Sequence, residues 1–319
     1  MEKIKFIQLD EVSTKNINYP DLYFTPEYGK ACEFSDNAIW ECCIYKDLVY
    51  VYIKKPFIFD NIKYFDLITP YGYSGYFYRH KSTYNEFIPL FRKESKNKNY
   101  LTEVLRQNPY IDIKIDKYDI VTNKKIFSIE INDYNNYYNN ILKSSVKNKL
   151  KKALKLNYTY EIKPIKKSIN KYFINLYNFT MKKVNADKYY YFNKDYFNQL
   201  EKLDNCYLIN ILDNNKEIIG SSIILRYKNF IHYHLSCNDS SSNCITDFLL
   251  NSIVKEFGKD NVIILGGGLK DYDSLYKFKQ KFFTNQYDYT IYKNILNLEI
   301  YNKIKKNYKD TGYFPIHRS

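Results

Sequence analysis

Apolar and polar positions alternate along the first part of the chain with the short period of strands. Residues 38–45 (AIWECCIY) and 48–53 (LVYVYI) flank the polar pair Lys46-Asp47, the pattern of a β-hairpin. A further apolar run at 64–68 leads into Thr69-Pro70-Tyr71-Gly72-Tyr73-Ser74-Gly75, whose proline and glycines demand a loop. The spacing of apolar positions predicts helices over 84–91 and 100–106, the second stopped before Pro109, and a strand over 125–131. A helix is predicted over 134–156. Ile141, Val146, Leu150 and Leu154 form its apolar side, and Lys143, Lys147, Lys151, Lys152 and Lys155 its polar side.

The second half predicts helices at 173–181 and 194–203, then a strand, turn and strand over 206–225, then a strand at 230–236. Residues 240–243 (SSSN) supply N-cap residue types for a helix with Ile245, Phe248, Leu249, Ile253 and Val254 inward, ended by Gly258. A buried strand at 262–265 runs into Gly266-Gly267-Gly268. The order helix, helix, three antiparallel strands, helix, strand is the layout of a GNAT-type acyltransferase fold. On element order alone, the first half reads as a degraded copy of the same layout. The expected fold class is α/β (of the α+β kind): two tandem GNAT-like domains with mixed, mostly antiparallel sheets flanked by helices. The boundary is expected at 158–168, giving an acceptor-side domain at 1–160 and a transfer domain at 161–319.

Composition changes this picture little. The 319 residues carry a formal charge of +14, which by itself suggests nucleic acid, an anionic membrane or a phosphorylated substrate. Only five of the 49 basic residues are arginine, at 79, 92, 106, 226 and 318. Arginine is the better bidentate reader of phosphate, so a solvated lysine-rich face is expected instead of a dedicated nucleic-acid surface. There is no run of eighteen apolar residues, so no spanning helix is expected. The N-terminal stretch MEKIKFIQLD has too little apolar length and too much acid for an export signal. Six scattered cysteines, at 32, 42, 43, 206, 237 and 244, are then expected as reduced thiols in a cytoplasmic protein. Cys42 and Cys43 are adjacent on a strand and cannot share a face, which makes them structural.

Several segments, in order, resemble the FemAB-like branch of the GNAT superfamily. Asp66-Leu67-Ile68-Thr69-Pro70-Tyr71-Gly72-Tyr73-Ser74-Gly75 resembles its "D…TPYGYGG" loop, and Val104-Leu105-Arg106-Gln107-Asn108-Pro109 its "RxxP" segment. Residues 146–153 (VKNKLKKA) resemble its basic interdomain helix. Residues 176–181 with Tyr191-Phe192, then Gly220-Ser221-Ser222, 232–236 (HYHLS) and 265–283, complete a series spanning roughly 24–300. The resemblance implies transfer of an acyl or aminoacyl group to an amine, with aminoacyl-tRNA as donor in some members and acyl-CoA in others. Two features depart from the family pattern. No heptad run marks a helical-hairpin insertion, and residues 236–243 (SCNDSSSN) have no glycine where acyl-CoA enzymes hold pyrophosphate on backbone N–H groups.

Candidate chemistry follows from these segments. The resemblance places Lys279, preceded by Phe278, at the donor and transfer centre, where it would polarise the acyl carbonyl. Leu275, Phe278 and Phe282 would anchor its helix face; the other reading is a solvated lysine like Lys277 and Lys281. Gly266, Gly267 and Gly268 would admit substrate close to backbone, or simply make a tight strand-to-helix turn. His232 and His234 share a strand face, and a neutral His234 can accept an amine proton. Adding Cys237 and Cys244 gives zinc-ligand residue types, but not a usual zinc spacing, and no metal is expected. Tyr71 and Tyr73 are candidates for stacking on a sugar, and Asp66 for orienting an amine or hydroxyl.

The function expected is an N-acyltransferase acting on an amine of a cell-envelope glycan or peptidoglycan precursor, with acyl-CoA or aminoacyl-tRNA as donor. The acceptor would be a nucleotide- or lipid-linked sugar, and peripheral membrane contact is compatible with this. The aminoacyl-tRNA-dependent peptidyltransferase is the narrower alternative. A non-catalytic basic RNA-binding module is the alternative from another class.

Overall fold

The first five strands of the chain are β1 (Lys5–Gln8), β2 (Ile39–Tyr45), β3 (Leu48–Phe59), β4 (Ile62–Ile68) and β5 (Gly75–Phe77), with helix α1 (Pro26–Asp36) between β1 and β2. The computed structural model describes residues 2–9, 17–113, 115–116, 118–169, 171–268 and 272–319. Met1 and Asp10 of the N-terminal stretch, and 269–271 of the glycine-to-lysine segment, lie outside the described residues. Helix α2 (Lys81–Asn97) then leads into β6 (Tyr100–Arg106). Thr25 caps α1, accepting a hydrogen bond from the Tyr28 N–H, with Pro26 in its first turn.

Strand β7 (Ile120–Glu130) is followed by α3 (Tyr134–Asn136), a π-helical turn (Tyr137–Ile141) and α4 (Ser144–Lys155). Next come β8 (Thr159–Pro164), α5 (Lys171–Lys183), α6 (Lys194–Leu200), β9 (Cys206–Leu212), β10 (Ile218–Tyr227) and β11 (Phe230–Asn238). The chain ends with α7 (Ile245–Phe257), β12 (Val262–Gly266), α8 (Ser274–Lys279), β13 (Asn285–Ile295) and α9 (Leu298–Lys305).

These elements form two compact units: residues 1–123 with 289–319, and residues 124–288. The division expected near 160 therefore falls inside the second unit. Strand β8, which spans that point, pairs with β9, and Val146, Leu150 and Ala153 of α4 join the core that α7 buries. The last thirty-one residues return to the first unit, where β13 pairs with β6 and Tyr301, Ile304 and Ile316 pack with Tyr64 and Leu101.

Each unit has the same strand plan. In the first, β2, β3 and β4 are antiparallel neighbours, α2 crosses over, and β6 pairs parallel to β4. In the second, β9, β10 and β11 are antiparallel, α7 crosses over, and β12 pairs parallel to β11. Both are mixed, mostly antiparallel sheets with helices, as expected, and the repeat invisible in the residues is plain in the topology.

Three local expectations are corrected. Residues 100–106 are strand β6, not a helix, because β6 lies between β4 and β13 and nearly all its residues are buried. The expected helix over 134–156 is interrupted, with Leu142 extended between the π turn and α4. Helix α7 starts at Ile245 with Cys244 as N-cap and no side-chain cap hydrogen bond, so residues 240–243 do not cap it. Cys42 and Cys43 are both buried on opposite faces of β2, in keeping with a structural role. Among the described residues no helix is long and apolar enough to cross a membrane.

Candidate active site

In the second unit, β11 and β12 begin as a parallel ladder pairing Phe230 with Val262, Ile231 with Ile263 and His232 with Ile264. The ladder stops at that third pair, while β11 continues to Asn238 and β12 to Gly266. The corresponding pair in the first unit stays closed: β4 pairs with β6 through its last residue, Ile68, and a bridge from Ser74 to Gln107 continues it. The opening between parallel strands thus belongs to the second unit. His234 on β11 and Gly266 on β12 each lie two residues beyond the last pair, where the strands part.

Gly266 ends β12 with φ of +69°, a conformation that disfavours a side chain. The next two glycines are required by space. A Cβ on Gly267 would lie 2.6 Å from the Lys125 carbonyl oxygen, and one on Gly268 would lie 2.4 Å from the Asp273 carboxylate. Asp273 is the N-cap of α8, its Oδ1 accepting from the Tyr276 N–H at 2.7 Å. This helix carries Lys279 in its last turn.

Lys279 is only 7% exposed. Its Nζ donates to the Gly267 carbonyl oxygen at 2.8 Å, which ties the helix end to the glycine segment. Burial disfavours the ammonium and pushes its pKa down to about 7, against the opposing charge of Asp273. Lys277 on the same helix is exposed, as a solvated lysine should be. Leu275 does not anchor α8 as expected; it is exposed, and Tyr276 takes its place, its ring 4.8 Å from that of Phe127. Phe278 is partly buried, 5.4 Å from the Phe282 ring.

His234 is buried, with Nε2 and the Tyr196 hydroxyl of α6 2.7 Å apart. Burial, with the neighbouring His232, pushes its pKa down to about 3, so the ring is neutral at physiological pH. Among the described residues no three His, Cys, Asp or Glu side chains are grouped to hold a metal ion.

The first-unit candidates are placed differently from one another. Tyr71 and Tyr73 are half-buried on the loop after β4. The Tyr28 hydroxyl donates to the Tyr71 carbonyl at 2.6 Å, and the Tyr73 ring packs edge-on to Tyr289 at 5.0 Å. Gly72 has φ of +112° and leaves room for the Tyr23 ring. Asp66, by contrast, is buried on β4. Its carboxylate accepts from Thr102 Oγ1 at 2.6 Å and Arg318 Nε at 2.9 Å, and lies 2.8 Å from His317 Nε2. Burial pushes its carboxyl up, but these partners outweigh burial and hold it below the usual range.

Sequence reasoning did not single out Asp273 or Tyr196. Asp273 had a signal, since an Asp before an apolar-periodic segment marks a helix N-cap. Tyr196 had none, because one tyrosine among 37 is not informative.

The residues at 236–243 also have a defined conformation. Asn238 Oδ1 accepts from the Ser240 N–H at 2.9 Å, and Asp239 Oδ1 from the Ser241 N–H at 2.9 Å. These two N–H groups are already used, and a carboxylate stands beside them.

No family model and no curated protein sequence matches this chain. Solved structures do. FemX aligns over 95% of this chain and 100% of its own, with a TM-score of 0.70 and 11% identity. L-PGS from Bacillus licheniformis aligns over 87% of this chain and 90% of its own, with a TM-score of 0.53 and 12% identity. The C-terminal domain of a protein assigned as a lysylphosphatidylglycerol synthetase from Agrobacterium fabrum covers 86% of this chain and 88% of its own, with a TM-score of 0.55 and 9% identity. The class is thereby defined at the level of fold: the chain shares the architecture of FemX and of these synthetase structures. The likeness to FemX runs along essentially the whole length of both chains.

Proposed function

We propose that the protein is an acyl- or aminoacyltransferase acting on an amine, with its transfer centre in the second unit at Lys279. The observation that carries this reading is the buried Lys279 ammonium, bonded to the Gly267 carbonyl where β11 and β12 part. Acyl transfer builds negative charge on the carbonyl oxygen, and a fixed donor in a site with little water stabilises that charge best. Burial pushes the Lys279 pKa down to about 7, so the group gains and loses its proton near neutral pH. The charged form donates to the developing oxyanion. His234, oriented by Tyr196, is the candidate hydrogen-bond acceptor for the attacking amine. With its pKa pushed down to about 3 it does not keep the proton, which passes to the departing oxygen or sulfur of the donor as the C–N bond forms and the ester or thioester bond breaks. Gly266, Gly267 and Gly268 keep side chains off the approach to Lys279, and Phe278 borders it.

The acceptor reading is an amine of a cell-envelope glycan or peptidoglycan precursor, with Tyr71 and Tyr73 as the sugar-facing residues of the first unit. Asp66, its carboxylate held by Thr102, His317 and Arg318, serves the strand that leads into their loop and not the substrate. Of the two donors, aminoacyl-tRNA is favoured over acyl-CoA. The turn after β11 has its Ser240 and Ser241 N–H groups engaged by Asn238 and Asp239, and a pyrophosphate there would meet the Asp239 carboxylate. The test is transfer from charged tRNA and from acetyl-CoA to amino-sugar and peptide amines, with and without ribonuclease. Ribonuclease-sensitive transfer that K279A abolishes without unfolding supports the reading. Transfer from acetyl-CoA alone would reassign the donor, and no transfer from either would remove the enzyme reading.

A further inference from the structure

Away from Lys279, the second unit carries a surface that the proposed reaction does not use. Tyr134, Tyr138, Tyr158 and Tyr160 line a cavity of about 450 Å³ with Leu150, Leu154 and Phe248, and with Lys255 at its edge. Two of the tyrosine hydroxyls are engaged: that of Tyr134 bonds the Asn251 side chain, and that of Tyr160 donates to Glu256. The wall is thus largely aromatic and aliphatic surface.

Helix α4 forms one side of this cavity. Its inner face buries Val146, Leu150 and Ala153, and Lys149 pairs with the buried Asp247. Its outer face carries Lys143, Lys151, Lys152 and Lys155, all exposed, and Lys147, whose ammonium lies 5.6 Å from the centre of the Tyr138 ring. Among the described residues, Lys143, Lys151, Lys155 and Lys255 have no carboxylate within ion-pair distance. Three aliphatic side chains lie open on the same segment: Leu154 is 62% exposed, Ile141 42% and Leu156 40%. Leu154 also lines the cavity, so its exposed surface is continuous with that apolar wall.

We infer that this face docks on an anionic lipid bilayer, with the α4 lysines at the headgroups and Leu154, Leu156 and Ile141 reaching the acyl boundary. Composition separates a bilayer from a nucleic acid. Residues 134–160 contain no arginine, the side chain that best reads phosphate of a polynucleotide. The apolar face of α4 is used inside the protein, so what the segment turns outward is a lysine cluster beside exposed Leu154, Ile141 and Leu156, which suits the surface of an anionic bilayer. Attraction of such a lysine cluster to an anionic leaflet corresponds to about fivefold in partitioning per lysine, and it weakens with salt.

The test is cosedimentation of the whole protein with vesicles of phosphatidylcholine alone and of phosphatidylcholine mixed with phosphatidylserine. Binding is expected only to the anionic vesicles, falling as salt rises. K151E/K155E should reduce it by more than about twenty-five-fold, the product of two such factors, since each change also adds a repelling charge. L154S should weaken it severalfold while leaving the salt dependence in place. All three positions are exposed, and circular dichroism checks that both variants remain folded. Three results would overturn the inference: no anionic-vesicle binding, binding that neither variant alters, or binding of a single-stranded RNA oligonucleotide that competes with vesicles and is lost in K151E/K155E.

Discussion

Replacing Lys279 by methionine should make the protein more stable at low pH while removing its activity. Methionine keeps an unbranched side chain of similar length and removes the buried charge. Lys279 moves from an ordinary value of 10.5 to about 7 in the folded protein. The difference of about 3.5 pH units, at 1.36 kcal/mol each, corresponds to about 5 kcal/mol of unfavourable burial when the group is charged. The variant also loses the hydrogen bond to Gly267, worth about 1 kcal/mol, and the figure is an upper bound, so a net gain of roughly 2–4 kcal/mol is expected at about pH 6. The sign follows from proton binding. Between the folded and unfolded pKa values the unfolded chain binds more protons, so wild-type stability from this residue rises with pH over that window. The penalty is full below about pH 7 and gone near 10.5. Urea unfolding of wild type and K279M at about pH 6 and about pH 9.5 reads this directly. The K279M advantage should shrink by most of its size between the two. An equal difference at both pH values, or a less stable variant at pH 6, would refute a buried, depressed lysine.

Other positions give separate tests. G267A should lower thermal stability and turnover together, because its Cβ would press on the Lys125 backbone carbonyl at 2.6 Å, whereas G268A should be milder because the Asp273 side chain can move. D66N should destabilise by about 3 kcal/mol at neutral pH, since it uncouples His317 and Arg318, and should raise proteolysis near the C-terminal residues. Because the folded Asp66 carboxyl is depressed, that stabilisation is present above the unfolded value and lost as pH falls through the folded one. The gap between wild type and D66N should therefore close in acid, which acid unfolding curves would reveal. Y196F should lower the melting temperature by the loss of about 1–2 kcal/mol, as it removes the hydroxyl that bonds the buried His234.

The element order from α5 to β12 was legible in the sequence because its strands are long, its turns polar and its helices strongly periodic. Residues 100–106 were not, because apolar positions at 101, 104 and 105 fit a helix and a doubly buried strand equally well over so short a run. The division near 160 misled for a different reason. The return of 289–319 to the first unit is a non-local event, and no composition shift announces it. At the site, Lys279 stood out only through its neighbours in sequence. Its burial, which separates it from Lys277, depends on the bond to Gly267 across the segment that ends β12. Asp66 had the residue type of a substrate ligand, while two of the three partners that occupy its carboxylate, His317 and Arg318, come from the far end of the chain.

The most direct test of the central claim is aminoacyl transfer from labelled charged tRNA to an amine acceptor by wild type and K279M, measured from about pH 6 to about pH 8.5. The account predicts transfer by wild type with an inflection near pH 7, and at least a hundredfold loss in a folded K279M, on the scale of losing one preorganised oxyanion donor. Equal turnover by the two proteins would contradict it.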